Sequence, residues 1–184
     1  AGSFPLTAQN VRGDIWQDVS ESVIVADRTT RVTIPDVYRT VSINRMALST
    51  ALEDAPMEFT EQAGSRPLTL AFPMPDGTFE NYLVYESVIM EPALAQKFPN
   101  IKTYAGRSVN DANASMRFDI TDLGFNAIFF TSKGVVHIEP YTKGNLSFCT
   151  VFYRKDVQVP PGLNLSCDVE DIGQLYHKSP GSVL

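Results

Sequence analysis

Between Ala114 and Tyr153 the chain repeats one unit: a short alternating run, then a tight polar turn. Ala114 to Ile120 places Met116, Phe118 and Ile120 on one side, and Thr121-Asp122-Leu123-Gly124 turns the chain. Phe125 to Thr131 returns, Ser132-Lys133-Gly134 turns, Val135 to Tyr141 returns, Lys143-Gly144-Asn145 turns, and Leu146 to Tyr153 follows. A side-chain period of two, broken by loops too short for a crossover helix, predicts sequential antiparallel strands with one face in a core.

The preceding residues extend that pattern. Leu68 to Phe72 reads as a strand, and Pro73-Met74-Pro75-Asp76-Gly77-Thr78 as a turn, because proline sets φ and Asp-Gly permits a positive φ. Phe79 to Met90 reads as a long returning strand, and Ile101 to Ala105 as another. Tyr38 to Ile43 alternates, with Val41 and Ile43 on the apolar side. Asn44 is an N-cap for a helix from Arg45 to about Asp54, its stripe supplied by Met46, Leu48, Ala51 and Leu52. Pro92 suits the first turn of a second helix, Ala93 to Phe98. Ile15 to Val25 fits either a short helix or a turn followed by a strand.

The expected fold is α+β: a mainly antiparallel sheet, meander or sandwich-like, with two short helices and an irregular C-terminal tail. Its organisation divides into an N-terminal segment 1–30, a β-rich core 31–155 and an extended tail 156–184, which begins where Val159-Pro160-Pro161-Gly162 breaks periodicity. The expected core is Val41, Ile43, Leu48, Leu70, Phe72, Leu83, Val84, Met116, Phe118, Phe125, Ile128, Phe129, Val136, Ile138, Phe148 and Phe152. At 184 residues the chain is long enough to bury such a core without a metal or disulfide staple.

Charge narrows the function classes. A formal net charge of −6, with no run of four basic residues, argues against nucleic acid, whose binding rests on Lys and Arg neutralising phosphate. No apolar stretch approaches the ~18 residues of a membrane helix, and Ala1-Gly2-Ser3-Phe4-Pro5 lacks the charged and apolar regions of a signal peptide.

Catalytic signatures are sparse. The two histidines, His137 and His177, lack the i,i+4 spacing of a helical zinc site, so no resident metal is expected. His137 sits in an alternating strand, where a hydrogen-bonded sheet histidine is the expectation. G-x-S-x-G, the P-loop and G-x-G-x-x-G do not occur. Asn110-Asp111-Ala112-Asn113 offers oxygen ligands but lacks the order of a calcium loop, and a turn is expected. Cys149 and Cys167 are either a disulfide closing a loop worth ~3 kcal/mol in the chain-entropy model, or a core thiol and an exposed one.

Several strings in a fixed order resemble one family. Pro73-Met74-Pro75-Asp76-Gly77, Glu86-Ser87 through Pro92, and Phe98-Pro99-Asn100-Ile101-Lys102-Thr103-Tyr104 come first. Arg117-Phe118-Asp119, Gly124-Phe125-Asn126-Ala127 and His137-Ile138-Glu139-Pro140-Tyr141 follow. Together they resemble the N-terminal propeptide-like region of secreted bacterial reprolysin-like zinc metallopeptidases, over roughly residues 31–155, with Glu139 standing where aspartate is usual. The catalytic signature H-E-x-x-H does not occur in this chain.

The resemblance implies a non-catalytic prodomain that keeps a secreted protease latent or assists its folding, its partner being the catalytic metallopeptidase domain of the same polypeptide. Zinc belongs to that domain. Ser166-Cys167-Asp168-Val169 resembles a cysteine-switch element, which makes Cys167 the implied inhibitory zinc ligand and Asp168 the fallback, since a thiolate on zinc displaces the water to be activated. The alternative is a secreted β-rich binding or adhesion module attached to a protease.

Overall fold

The computed structural model describes residues 15–24, 31 and 33–158. It is mainly antiparallel β-sheet with short helices. Among the described residues the strands are β1 (Trp16–Asp18), β2 (Arg39–Ile43), β3 (Leu68–Pro73), β4 (Phe79–Glu86), β5 (Lys102–Ser108), β6 (Ser115–Thr121), β7 (Gly124–Thr131), β8 (Gly134–Pro140) and β9 (Phe148–Tyr153). The helices are α1 (Arg45–Leu52), α2 (Glu61–Ser65) and α3 (Pro92–Lys97), with 3₁₀ turns at Glu21–Val23 and Arg154–Asp156.

All nine strands form one sheet, in the order β1-β2-β9-β8-β7-β6-β5-β4-β3. Seven consecutive strands, β3 to β9, are therefore a simple meander. β2 adds beyond β9 and β1 beyond β2, each antiparallel. This corrects the sandwich alternative: there is one sheet, coiled on itself. The rings of Trp16 on the first edge strand and Phe72 on the last lie 6.2 Å apart across the interior. The Arg39 guanidinium ties Asp18 of β1 to the β3–β4 turn, donating to Asp18 Oδ2 at 2.8 Å and to the carbonyls of Met74 and Thr78 at 3.0 and 2.9 Å. The sheet thus approaches a closed barrel, a shape that leaves less of each sheet edge free.

Its interior is filled by side chains. Phe72 packs against Tyr82, Phe118, Phe125 and Phe129, with ring centroids 5.5–6.5 Å apart. Gly106 is required where it stands: a Cβ there would lie 2.6 Å from the Met116 side chain and 3.1 Å from the Leu83 carbonyl. α1 plugs one end of the barrel. The Asn44 side chain accepts from Ala47 N–H at 3.1 Å, as an N-cap does, and Leu48 and Leu52 enter the core. Met46, expected in that stripe, is instead 81% exposed.

Other expectations need correction. The β4 strand ends at Glu86 and not at Met90: Ser87 N–H still donates to Thr103 O at 2.9 Å, but its hydroxyl turns to Glu58, and the chain leaves the sheet. Among the described residues there are three short α-helices and not two. α2 follows Thr60, whose hydroxyl accepts from Ala63 N–H. Of the expected core, Leu83, Ile128 and Phe148 are only half-buried. Leu83 and Ile128 each adjoin an inward residue, Val84 and Phe129, and two neighbours on a strand cannot share a face. Trp16, Tyr82, Tyr104, Cys149 and Val151 fill the core in addition.

Candidate functional site

The outward faces of β5 to β8 carry the chemistry. Strand pairing sets two cross-strand rows there. Thr103 pairs with Asp119, which pairs with Asn126, and the same register brings Glu139 alongside. In the next row Ala105 pairs with Arg117, Arg117 with Ile128, Ile128 with His137 and His137 with Phe152. The inward neighbours of these residues, Phe118, Ala127 and Ile138, are core. Alternation therefore forces the polar members outward onto one surface.

That surface is a groove of about 290 Å³, lined by Arg117, Asp119, Asn126, His137 and Glu139, with Ile89 contributed by the segment after β4. The segment is held in place by a small polar network. Ser87 donates to Glu58 Oε2 at 2.6 Å and accepts from Arg117 Nη1 at 2.9 Å, and Arg117 lies 3.9 Å from the Glu58 carboxylate. The Glu58 side chain is 19% exposed and that of Arg117 55% exposed, so the guanidinium stays available to solvent.

The groove perturbs its ionisable groups. Burial holds the Asp119 carboxyl above its ordinary value, and a hydrogen bond with Asn126 opposes this. Burial pushes His137 below 6.5, the nearby Glu139 opposing and Arg154 adding to it. The sequence predicts a hydrogen-bonded His137, but among the described residues its side chain makes no hydrogen bond. It stacks on Phe152 with centroids 5.5 Å apart, and Nδ1 lies 3.6 Å from Glu139 Oε1. The site thus presents the partly buried Asp119, His137 and Glu139 and an exposed guanidinium beside apolar side chains, an arrangement suited to binding.

A second charged cluster is structural. Arg31 lies between the rings of Tyr38 and Tyr141, 4.6 Å from each centroid, and Glu21 accepts from both tyrosine hydroxyls. It ties Glu21, Arg31 and Tyr38 to Tyr141, just after β8.

Of the residues singled out in the sequence, Cys167, Asp168 and His177 lie outside the described residues. Cys149 faces the core, 1% exposed, and burial pushes its thiol up to about 12, so it is a poor nucleophile and metal ligand. The Asn110–Asn113 loop is a turn: Ser108 Oγ accepts from the N–H groups of Asn110 and Asp111, and Asp111 from that of Asn113. Among the described residues, no three His, Cys, Asp or Glu side chains gather as a metal site. The groove itself was not singled out as a unit. Its signal was the polar half of the alternation at 117, 119, 126, 137 and 139.

No family model, curated protein or solved structure matches the chain.

Proposed function

We propose that the chain is a non-catalytic prodomain of a secreted zinc metallopeptidase, docking through the outer face of β5–β8 on the catalytic domain of the same polypeptide and keeping it latent. One observation carries the reading. Strings far apart in sequence, including residues 86–92, 117–119, 124–127 and 137–141, are the strings of the family resemblance, and each sends a residue into the same groove. Residues that only build a barrel need no such convergence of polar groups. In this reading Cys167, or Asp168 in its place, takes the coordination position that the catalytic water needs, which withholds the nucleophile.

The test begins with the reading frame that encodes the chain. An H-E-x-x-H downstream is required, and its absence ends the proposal. The peptidase domain so found is then expressed alone and assayed on a peptide substrate with the chain added. Inhibition at micromolar chain, weakened by Cys167→Ala, is the expected outcome. Undiminished hydrolysis would remove the inhibitory role. The second reading, a retained binding or adhesion module, is favoured by Val88 (57% exposed), Ile89 (70%) and Phe98 (50%), apolar side chains displayed between β4 and β5. It predicts that the chain binds a surface or substrate without slowing the enzyme.

A further inference from the structure

We propose that a second groove, on the outer face of β5–β7, is the docking site for an acidic linear segment of a partner protein. A large apolar side chain of that segment seats beside Phe59 and Phe130, and its carboxylates meet Arg107 and Arg117. It does not require the peptidase reading, though Arg117 lines both grooves.

The groove, about 410 Å³, exists because short side chains lie among tall ones. Tyr85 pairs with Ala105, Arg107 with Ser115 and Ser115 with Phe130, so Ala105 and Ser115 form a low floor between rows of long side chains. Phe59 is the unusual wall. It is 90% exposed, and its φ of 66° is left-handed, a conformation that a bulky residue adopts at a cost. Slack in the loop does not account for this. On one side Glu58 N–H donates to Glu86 O at 2.9 Å. On the other the Thr60 hydroxyl donates to Met57 O at 2.7 Å and caps α2. The phenyl ring is held out by pinned neighbours, and nothing among the described residues covers it.

Charge selects the partner. Arg107 is exposed and makes no ion pair among the described residues, while the carboxylate near Arg117 already accepts from Ser87. Two guanidinium groups against one engaged carboxylate make a cationic spot on a chain of net charge −6. Guanidinium forks favour carboxylates. A peptide fits better than a fatty acid: the groove is open and lined by polar as well as apolar side chains, and the barrel interior that would enclose an acyl chain is packed with aromatic rings.

The test titrates the ¹⁵N-labelled chain with the peptide Ac-Glu-Phe-Glu-Leu-Glu-NH₂, with its lysine-for-glutamate counterpart, and with laurate below its micelle concentration. The expected result is saturable amide shifts at Ala105, Ser115 and Phe130 with the acidic peptide alone. Phe59→Gly and Arg107→Gln should each weaken binding by roughly fivefold or more, the effect of an interface anchor. Phe59→Gly should also raise Tm, because glycine relieves the left-handed backbone, whereas a structural phenylalanine would lower it on removal. No saturable shift with the acidic peptide, equal shifts with the basic one, shifts from laurate alone, or a lowered Tm for Phe59→Gly would each overturn the proposal.

Discussion

The inner and outer faces of β5–β8 are made by alternate residues of the same strands, yet they obey different rules. Inside, Met116, Phe118, Phe125, Phe129, Val136 and Ile138 are at most 4% exposed and belong to one apolar cluster, the rings of Phe118 and Phe125 lying 5.5 Å apart. Outside, Arg117, Asp119, Asn126, His137 and Glu139 line a polar groove, and burial disfavours the ionised forms of Asp119 and His137. The fold requires the first set. It does not require the second, which incurs desolvation that a plain polar surface would avoid. Polar residues placed at such a cost on a rigid scaffold are where a binding role belongs.

The comparison breaks most visibly from the inside. Phe72 packs against five core rings, and Phe72→Ala should destabilise the chain by about 3–5 kcal/mol, as large-to-small core changes do, measured by denaturant unfolding. A loss near zero would mean that the aromatic cluster is not the core. Gly106→Ala should lower stability by about 1–3 kcal/mol by overpacking against Met116 and the Leu83 carbonyl. Tyr82→Phe has the opposite sign. Among the described residues the Tyr82 hydroxyl is buried without a partner, so its removal should raise stability by up to about 1 kcal/mol. A fall would reveal a hydrogen bond at that position.

The outer face should answer to pH more than to truncation. His137 has a lowered folded value, so the folded state resists its protonation. Stability from this source is full above 6.5 and declines as pH falls below it. Asp119 has a raised folded value, so its ionisation weighs against the fold at neutral pH, and that penalty disappears as pH falls toward 3.8. His137→Gln should therefore flatten the decline of Tm just below pH 6.5. Asp119→Asn should raise Tm at pH 7 by a small amount and change it little near pH 4. Parallel Tm–pH curves for wild type and His137→Gln would contradict the assignment.

Much of this architecture was legible in local spacing. The alternation from 114 to 141, the Asn44 cap and the Asp76-Gly77 turn are set by neighbours in sequence, and each is found where expected, with Gly77 at φ 85°. What local spacing does not carry is the partner across a long gap. That β2 pairs with β9, and that Trp16 reaches Phe72, depends on the coil of the whole sheet. The exit of the chain at Ser87 was hidden for the same reason: Val88 and Ile89 have strand-forming side chains, and the partners that fix Ser87, Glu58 and Thr103, lie far along the sequence. The groove was half legible. Its residues stood in the polar phase of the alternation, but only the register between strands brings Asp119, Asn126 and Glu139 into one row.

The account rests on the outer face of β5–β8 being a surface for a partner, and one titration tests it directly. The peptidase domain that the proposed function requires in the same reading frame is titrated with the wild-type chain and with an Arg117→Gln, His137→Ala double variant whose Tm is checked beforehand. The predicted result is an inhibition constant at least ~10-fold weaker for the variant, the loss of two interface contacts, at a Tm close to that of wild type. Equal inhibition by the two chains would contradict the account.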